Sequence, residues 1–268
     1  MEWYWIVVAL CFGLVIGSFF NVLIWRLPRG ESIIHPGSHC PACNTPVPPL
    51  HNIPLLSYAL LRGTCPRCGT VINLRYPLVE LGTGLGAAGI WVFMLRPGID
   101  SASGPWEIVP LVVQALSLLV LVPVSLIDLE HYIIPDEITL PGLGIAVAAA
   151  LAPGGVTPLQ ALMGIVAGGG SLLMVGAIGQ WVLRKEDAMG GGDIKLMAFL
   201  GALWGWQITL VGIVLASFSG ALVGGALLLA RRLGEEHRIP FGPFLALGIW
   251  IAALWGDQLI ELYLSLAF

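Results

Sequence analysis

The feature that most limits what this chain can become is a set of apolar runs as long as a lipid bilayer is thick. The first, WYWIVVALCFGLVIGSFFNVLIW at 3–25, carries no charge. Comparable runs lie near 77–95, 106–127, 157–183, 207–230 and 241–255, and two shorter ones near 138–152 and 194–204. A helix needs about 20 apolar residues to cross a hydrocarbon layer of about 30 Å. In lipid every backbone N–H and C=O must be paired inside the protein, which leaves helices as the natural form for such runs. Composition agrees: 57% of the 268 residues are hydrophobic and 10% are charged, where a soluble domain carries about 25% charged residues. So few charges cannot cover a surface that faces water. The first run lacks a basic start and a small-residue cleavage site, so it reads as a retained span. Counting both short runs, the expectation is an all-α polytopic membrane protein with about eight transmembrane helices.

Orientation follows from lysine and arginine, which collect on the cytoplasmic side. With eight spans, Arg26, Arg29, Arg62, Arg67, Arg75, Arg184, Lys185, Lys195, Arg231, Arg232 and Arg238 share one side, and Arg96 is alone on the other. This bias makes the 26–76 loop cytoplasmic and both termini external. Dropping only one short run would move Arg231, Arg232 and Arg238 outside, so the bias favours counting both. The expected layout is a first helix at 1–25, a small cytoplasmic zinc-ribbon-like loop at 26–76, and a multi-helix membrane body at 77–268.

The long polar loop contains two C-x-x-C knuckles, Cys40/Cys43 and Cys65/Cys68. Two intervening residues let both thiolates face one ion, and the distance between knuckles is that of a zinc ribbon. Disulfides are the competing reading, but a cytoplasmic loop is a reducing one. Four thiolates around zinc leave no open coordination position, so the metal is expected to be structural. His35 and His39 are ligand types nearby and read as loop residues; Cys11 reads as a packing residue in the first span.

Within the apolar body, two acids need explaining. Asp128 ends one run in VPVSLIDLEHYIIPDEITL, and Asp193 opens another in GGGDIKL. The bland reading for Asp193 is a helix cap, and for either a solvated helix end. Two carboxylates at one depth offer another reading. Brought together they share one proton, giving a base that activates water and an acid that polarises a peptide carbonyl. Gly190, Gly191 and Gly192 would permit close approach of a second chain. Glu130, Asp136, Glu137, Glu186 and Asp187 read as solvated acids whose field attracts a basic peptide. His131 reads as a loop residue. The string GLGAAG at 84–89 matches a dinucleotide fingerprint, but it lies inside an apolar run and not after a strand, so it reads as a packing surface. Neither a G-x-S-x-G elbow nor an H-E-x-x-H pair is present.

Taken together, GSFFNVLIWRLPRGES at 17–32, the two knuckles, HNIPLLSYALLRGTCPRC at 51–68, RYPLVELGTG at 75–84, IDLEHYIIPD at 127–136 and GGGDIKL at 190–196 resemble the bacterial type IV prepilin peptidases. These are leader peptidase/N-methyltransferases of the G-x-G-D aspartyl protease class, and the resemblance covers nearly the whole chain. His51 departs from the family, which usually has an acid before NIPLLS. The resemblance implies an inner-membrane enzyme that cuts the basic leader from prepilins or pseudopilins after a glycine on the cytoplasmic side. It implies Asp128 and Asp193 as catalytic residues, with Gly190, Gly192 and Lys195 supporting them. It further implies N-methylation of the new terminus with S-adenosylmethionine, the cysteine loop being associated with that activity. Zinc would be the structural metal; prepilins and the bilayer would be the partners, and no nucleic acid is expected. The alternatives are a proton- or cation-coupled transporter using Asp128 and Asp193, and a zinc-ribbon membrane scaffold without chemistry. Against transport, both acids lie at one membrane edge and not at the midplane.

Overall fold

The computed structural model describes residues 2–183, 189–230 and 239–267. Among these the regular structure is helical, and β-pairing is confined to two isolated bridges, His39 with Pro46 and Thr64 with Val71. The chain divides into two compact units, Met1–Pro97 and Gly98–Phe268.

In the first unit, helix α1 (Glu2–Arg26) is followed by the cysteine loop, which holds the short α2 (Leu56–Leu60). Helix α3 (Arg75–Ile90) then continues through a π turn at Trp91–Leu95 into α4 (Arg96–Ser101). α1 and α3 pack directly because small residues let their backbones approach. A Cβ at Gly13 would lie 2.6 Å from Ala87 Cβ, and one at Gly17 2.8 Å from Glu80 Cα. Gly84 and Ala87 of the GLGAAG string face α1 in this contact, which is the packing role expected of it. At the end of α1, buried Arg26 donates to the carbonyls of Ser32 (2.8 Å), Pro36 (2.6 Å) and Gly37 (3.3 Å). One guanidinium thus satisfies three loop carbonyls and fixes where the loop leaves the helix.

The second unit comprises α5 (Ile108–His131), α6 (Asp136–Ala149), α7 (Pro158–Ile165), α8 (Ser171–Leu183), α9 (Gly191–Leu229) and α10 (Gly242–Ala267). Thr157 and Gln160 form a capping box at the start of α7, and a π turn at Val166–Gly170 joins α7 to α8. α9 packs against α6, α7 and α10. Leu118, Leu121, Ile127, Leu196, Met197, Leu200, Leu203, Leu245 and Ile249 fill the interior. Polar groups tie the helices as well: Gln114 Nε2 donates to the Leu203 carbonyl at 3.0 Å, and Trp250 Nε1 to that of Leu118 at 2.9 Å. Large apolar side chains such as Trp181, Phe218 and Leu222 are exposed, as expected where the outer solvent is lipid.

The helices are those of a multi-pass membrane protein, but the count differs from the expected eight. Among the described residues, six are long and apolar enough to span: Trp3–Arg29, Arg75–Ser101, Pro105–His131, Pro158–Val182, Gly191–Leu229 and Gly242–Ala267. The difference has two sources. α6 has 14 residues, about 21 Å of helix, short of a layer of about 30 Å. The runs near 194–204 and 207–230 form two helices that meet at a kink, Gly205 at φ 75° and ψ 170°, with no loop between them, and so count once among the six.

Candidate active site and metal centre

Asp128 lies in the last turn of α5 and is 6% exposed. The helix stops just beyond it because Tyr132 takes a left-handed conformation (φ 57°), its N–H bonding the Asp128 carbonyl at 2.9 Å. The side chain turns to the start of α10, where Gly242 N–H donates to Oδ2 at 2.8 Å. A Cβ at position 242 would stand 2.6 Å from that oxygen, so the contact requires glycine for space. A free N–H at a helix N-terminus also supplies positive potential to an acid placed there.

Asp193 lies in the first turn of α9 and is partly buried. The cap position belongs to Gly190, and no side chain caps this helix, so the capping expected on the bland reading is not the contact made. The carboxylate lies back over Gly190, where a Cβ would meet Oδ2 at 2.7 Å. Its Oδ1 is buried with no hydrogen-bond partner among the described residues. Gly192 gives the α5–α6 turn room, since a Cβ there would lie 2.8 Å from Ile134 Cβ. The segment after Asp128 therefore rests on the helix that carries Asp193. Two acids from distant parts of the chain thus stand on neighbouring elements.

The neighbouring charges are different. Lys195 Nζ pairs with both oxygens of Asp136, at 2.7 and 2.8 Å, in a bridge that is about half exposed. It links the first turns of α6 and α9. Glu130, Asp136 and Glu137 are exposed, and His131 sits 4.0 Å from Glu130. Glu186 and Asp187 lie outside the described residues.

In the first unit, the sulfurs of Cys40, Cys43, Cys65 and Cys68 lie within 4.8 Å of one another, a cluster able to hold a metal. The two knuckles are built alike. Cys40 N–H bonds the Thr45 carbonyl and Cys65 N–H that of Thr70, both at 2.9 Å. Asn44 N–H and Gly69 N–H return to the carbonyls of Cys40 and Cys65 from left-handed backbone, φ 54° and 73°. Asparagine and glycine are the residues that tolerate that region. Cys43 Sγ lies 3.3 Å from Thr45 Oγ1, and Cys68 Sγ 3.2 Å from Thr70 Oγ1. A hydroxyl there donates to the thiolate, which lowers the Cys43 thiol and holds Cys68 down at about 6. Thiolates are the form that binds metal.

Three contributors were not found from sequence: Gly242, Thr45 and Thr70. The threonines carried a signal, because CPACNT and CPRCGT repeat one pattern. Gly242 in IPFGPF looks like any turn before an apolar run.

Similarity to known proteins covers the same segments. Residues 11–94 match the Bacterial Peptidase A24 N-terminal domain, and residues 115–225 the Type IV leader peptidase family. The chain is 37% identical to a prepilin leader peptidase/N-methyltransferase of Aeromonas hydrophila, over 99% of this chain and 96% of the relative. A protein of the same description from Pseudomonas aeruginosa is 37% identical over 95% of this chain and 92% of its own. One from Bacillus subtilis is 36% identical over 96% of each. No solved structure matches significantly. The chain belongs to the type IV leader peptidase family.

Proposed function

We propose that this protein is a membrane aspartyl endopeptidase that removes the basic leader of type IV prepilins or pseudopilins after a glycine and then N-methylates the new terminus. The observation that carries the cleavage reading is the pair of carboxylates, one ending α5 and one opening α9, on elements that touch where Gly192 meets Ile134. One carboxylate takes a proton from water as the oxygen attacks the scissile carbonyl carbon. The other, protonated, gives its proton to the carbonyl oxygen. The tetrahedral diol then collapses: the C–N bond breaks, the departing amine takes the proton that the first carboxylate gained from water, and a diol hydroxyl returns its proton to the second. Gly242 N–H keeps Asp128 in place, while Gly190 leaves room for the Asp193 carboxylate and Gly192 for Ile134 of the turn after Asp128. Lys195 supports the site by holding the α6 and α9 ends together through Asp136.

The four-cysteine cluster, in this reading, holds one zinc. The donor set fits, since four thiolates at about 2.3 Å from zinc stand about 3.8 Å apart, and the Cys40 and Cys68 sulfurs are 3.9 Å apart. Bound by Cys40, Cys43, Cys65 and Cys68, the ion would hold the 26–76 loop together. S-adenosylmethionine, when bound, would supply an electrophilic methyl group to the new amine, which would lose one proton as S-adenosylhomocysteine leaves. The setting is the bacterial inner membrane, with Asp128 and Asp193 at the cytoplasmic edge where a prepilin's leader joins its own membrane helix. The lopsided placement of lysine and arginine supports that orientation.

The test is cleavage of a prepilin by detergent-purified protein, read as a shorter product on a gel. Asp128→Asn and Asp193→Asn should each abolish nearly all cleavage, and the double variant should be barely worse, since residues acting as a unit are not additive. Substantial cleavage by a folded Asp193→Asn protein would end the paired-acid mechanism.

A further inference from the structure

The first unit contains a cavity of about 350 Å³ between α1, the start of α3 and the cysteine loop. That falls in the range of about 300–1,000 Å³ typical of small-molecule sites. Most of its wall is apolar, and two of its polar groups are buried acceptors. Glu80, from α3, is 9% exposed; one of its oxygens receives the Leu55 N–H at 2.8 Å, and the Ser18 hydroxyl also bonds it. Asn21, from α1, is 3% exposed, and its Nδ2 is committed to the carbonyls of Tyr76 (3.1 Å) and Gly17 (3.3 Å). Its Oδ1 is buried with no partner among the described residues. Buried acceptors left open in this way are rare in folded proteins and call for an explanation. Two arginines also line the cavity: Arg26 is spent on the loop carbonyls, and Arg67 is exposed on the loop side, where it can meet a ligand carboxylate. A carboxylate and an open amide oxygen in an apolar wall suit a ligand that is cationic, rich in donors and partly apolar.

Resting on the methyltransferase reading above, we propose that this cavity is the binding site of S-adenosylmethionine. Glu80 and Asn21 meet its cationic and donor groups, and the apolar wall meets the rest. The sulfonium carries positive charge without a hydrogen to donate, so a nearby carboxylate can hold it where water would compete poorly. The amino and ribose hydroxyl groups bring donors that the Asn21 oxygen can accept. Val22 and Trp25 provide apolar surface on the same wall.

Two measurements on the full-length, zinc-loaded protein in nanodiscs test this. In the first, ultraviolet light crosslinks radiolabelled S-adenosylmethionine to the wild-type protein, and the labelled peptide is mapped. Label within 17–26, 51–61 or 72–80 is expected; label confined to the second unit would overturn the assignment. In the second, titration calorimetry follows S-adenosylhomocysteine, which keeps the amino and hydroxyl groups but lacks the sulfonium, and S-adenosylmethionine itself. Glu80→Gln, which keeps a group able to accept the Leu55 N–H, should weaken S-adenosylmethionine by about tenfold or more. It should weaken the neutral thioether less. Val22→Trp, which fills the cavity, should remove binding of both. Unchanged affinities in both variants, with zinc content equal to wild type, would place the donor elsewhere. A wild-type protein that methylates prepilin while both variants bind normally loses only the location. A wild-type protein that neither binds the donor nor methylates prepilin loses the methyltransferase reading and, with it, this site.

Discussion

At the scale of single residues, Gly242 is the most exposed to test. A methyl group at this position would overlap the Asp128 oxygen at 2.6 Å and push the carboxylate off its N–H donor. Gly242→Ala should therefore lower kcat of cleavage about 100-fold, the cost of displacing a reacting group by about 1 Å, while the circular dichroism spectrum stays helical. A full rate in that variant would show that the contact does not position Asp128. The knuckle thiols give a second forecast. In zinc-stripped protein, Cys68 should remain a thiolate down to about 6, because the Thr70 hydroxyl holds its titration low. Its alkylation should fall away only as the pH drops through that value, and Thr70→Val should shift the profile upward. An unshifted profile in the valine variant would remove the hydroxyl from the explanation. The two aspartates and four cysteines stood out in the sequence because charge inside an apolar run and paired thiols are both conspicuous. Gly242 did not, because its role lies in what it lacks, and only the folded chain shows which oxygen would occupy the space of a side chain.

At the scale of elements, the informative one is α9. Its break at Gly205 has φ 75° and ψ 170°, a region open essentially to glycine alone. The Thr209 hydroxyl bonds the Gly205 carbonyl at 2.6 Å, four residues on, so the turn after the break is tied back to it. Gly205→Ala should cost about 1–3 kcal/mol, read as a lower unfolding midpoint in detergent with cleavage retained at low temperature. An unchanged midpoint would mean that the helix straightens without penalty. The bridge between Lys195 and Asp136 should matter little to stability, within about 1 kcal/mol in a double-mutant cycle, because it is half exposed. The spans read from apolar runs match the helices well, since length and apolarity are what a bilayer demands. The expected eight and the six long spans part at Gly205, because in LWGWQ a single residue, with no loop, turns one helix into the next. They part also at α6, which has the composition of a span in 14 residues.

At the scale of the whole molecule, the two units carry different chemistry in this reading, and they should respond differently to the same treatment. Removing zinc with a chelator should unfold the 26–76 loop and abolish methylation. The helices of the second unit, held by lipid and by packing, should persist. Metal analysis should return about one zinc per chain, and comparable loss of cleavage and methylation in a Cys40→Ser variant would show that the division is not real. Orientation is open to labelling. Cysteines introduced at 98–104 should react with an impermeant reagent in intact cells, and those introduced at 184–190, a segment partly outside the described residues, should not. The reverse pattern would turn the protein over in the membrane.

The twin construction of the knuckles bears on how the loop could be rebuilt. Each step of one recurs in the other, from the amide of Val47 on Ser38 and that of Ile72 on Gly63 to the left-handed residue after the second cysteine. Nearly all the bonds that shape a knuckle are made within it, so each is a self-contained part. A chain in which CPACNT and CPRCGT exchange places should therefore still assemble one metal centre. The order of the two in the gene would then be an accident of history, and the pair could be carried as a cassette into another loop whose ends stand the same distance apart.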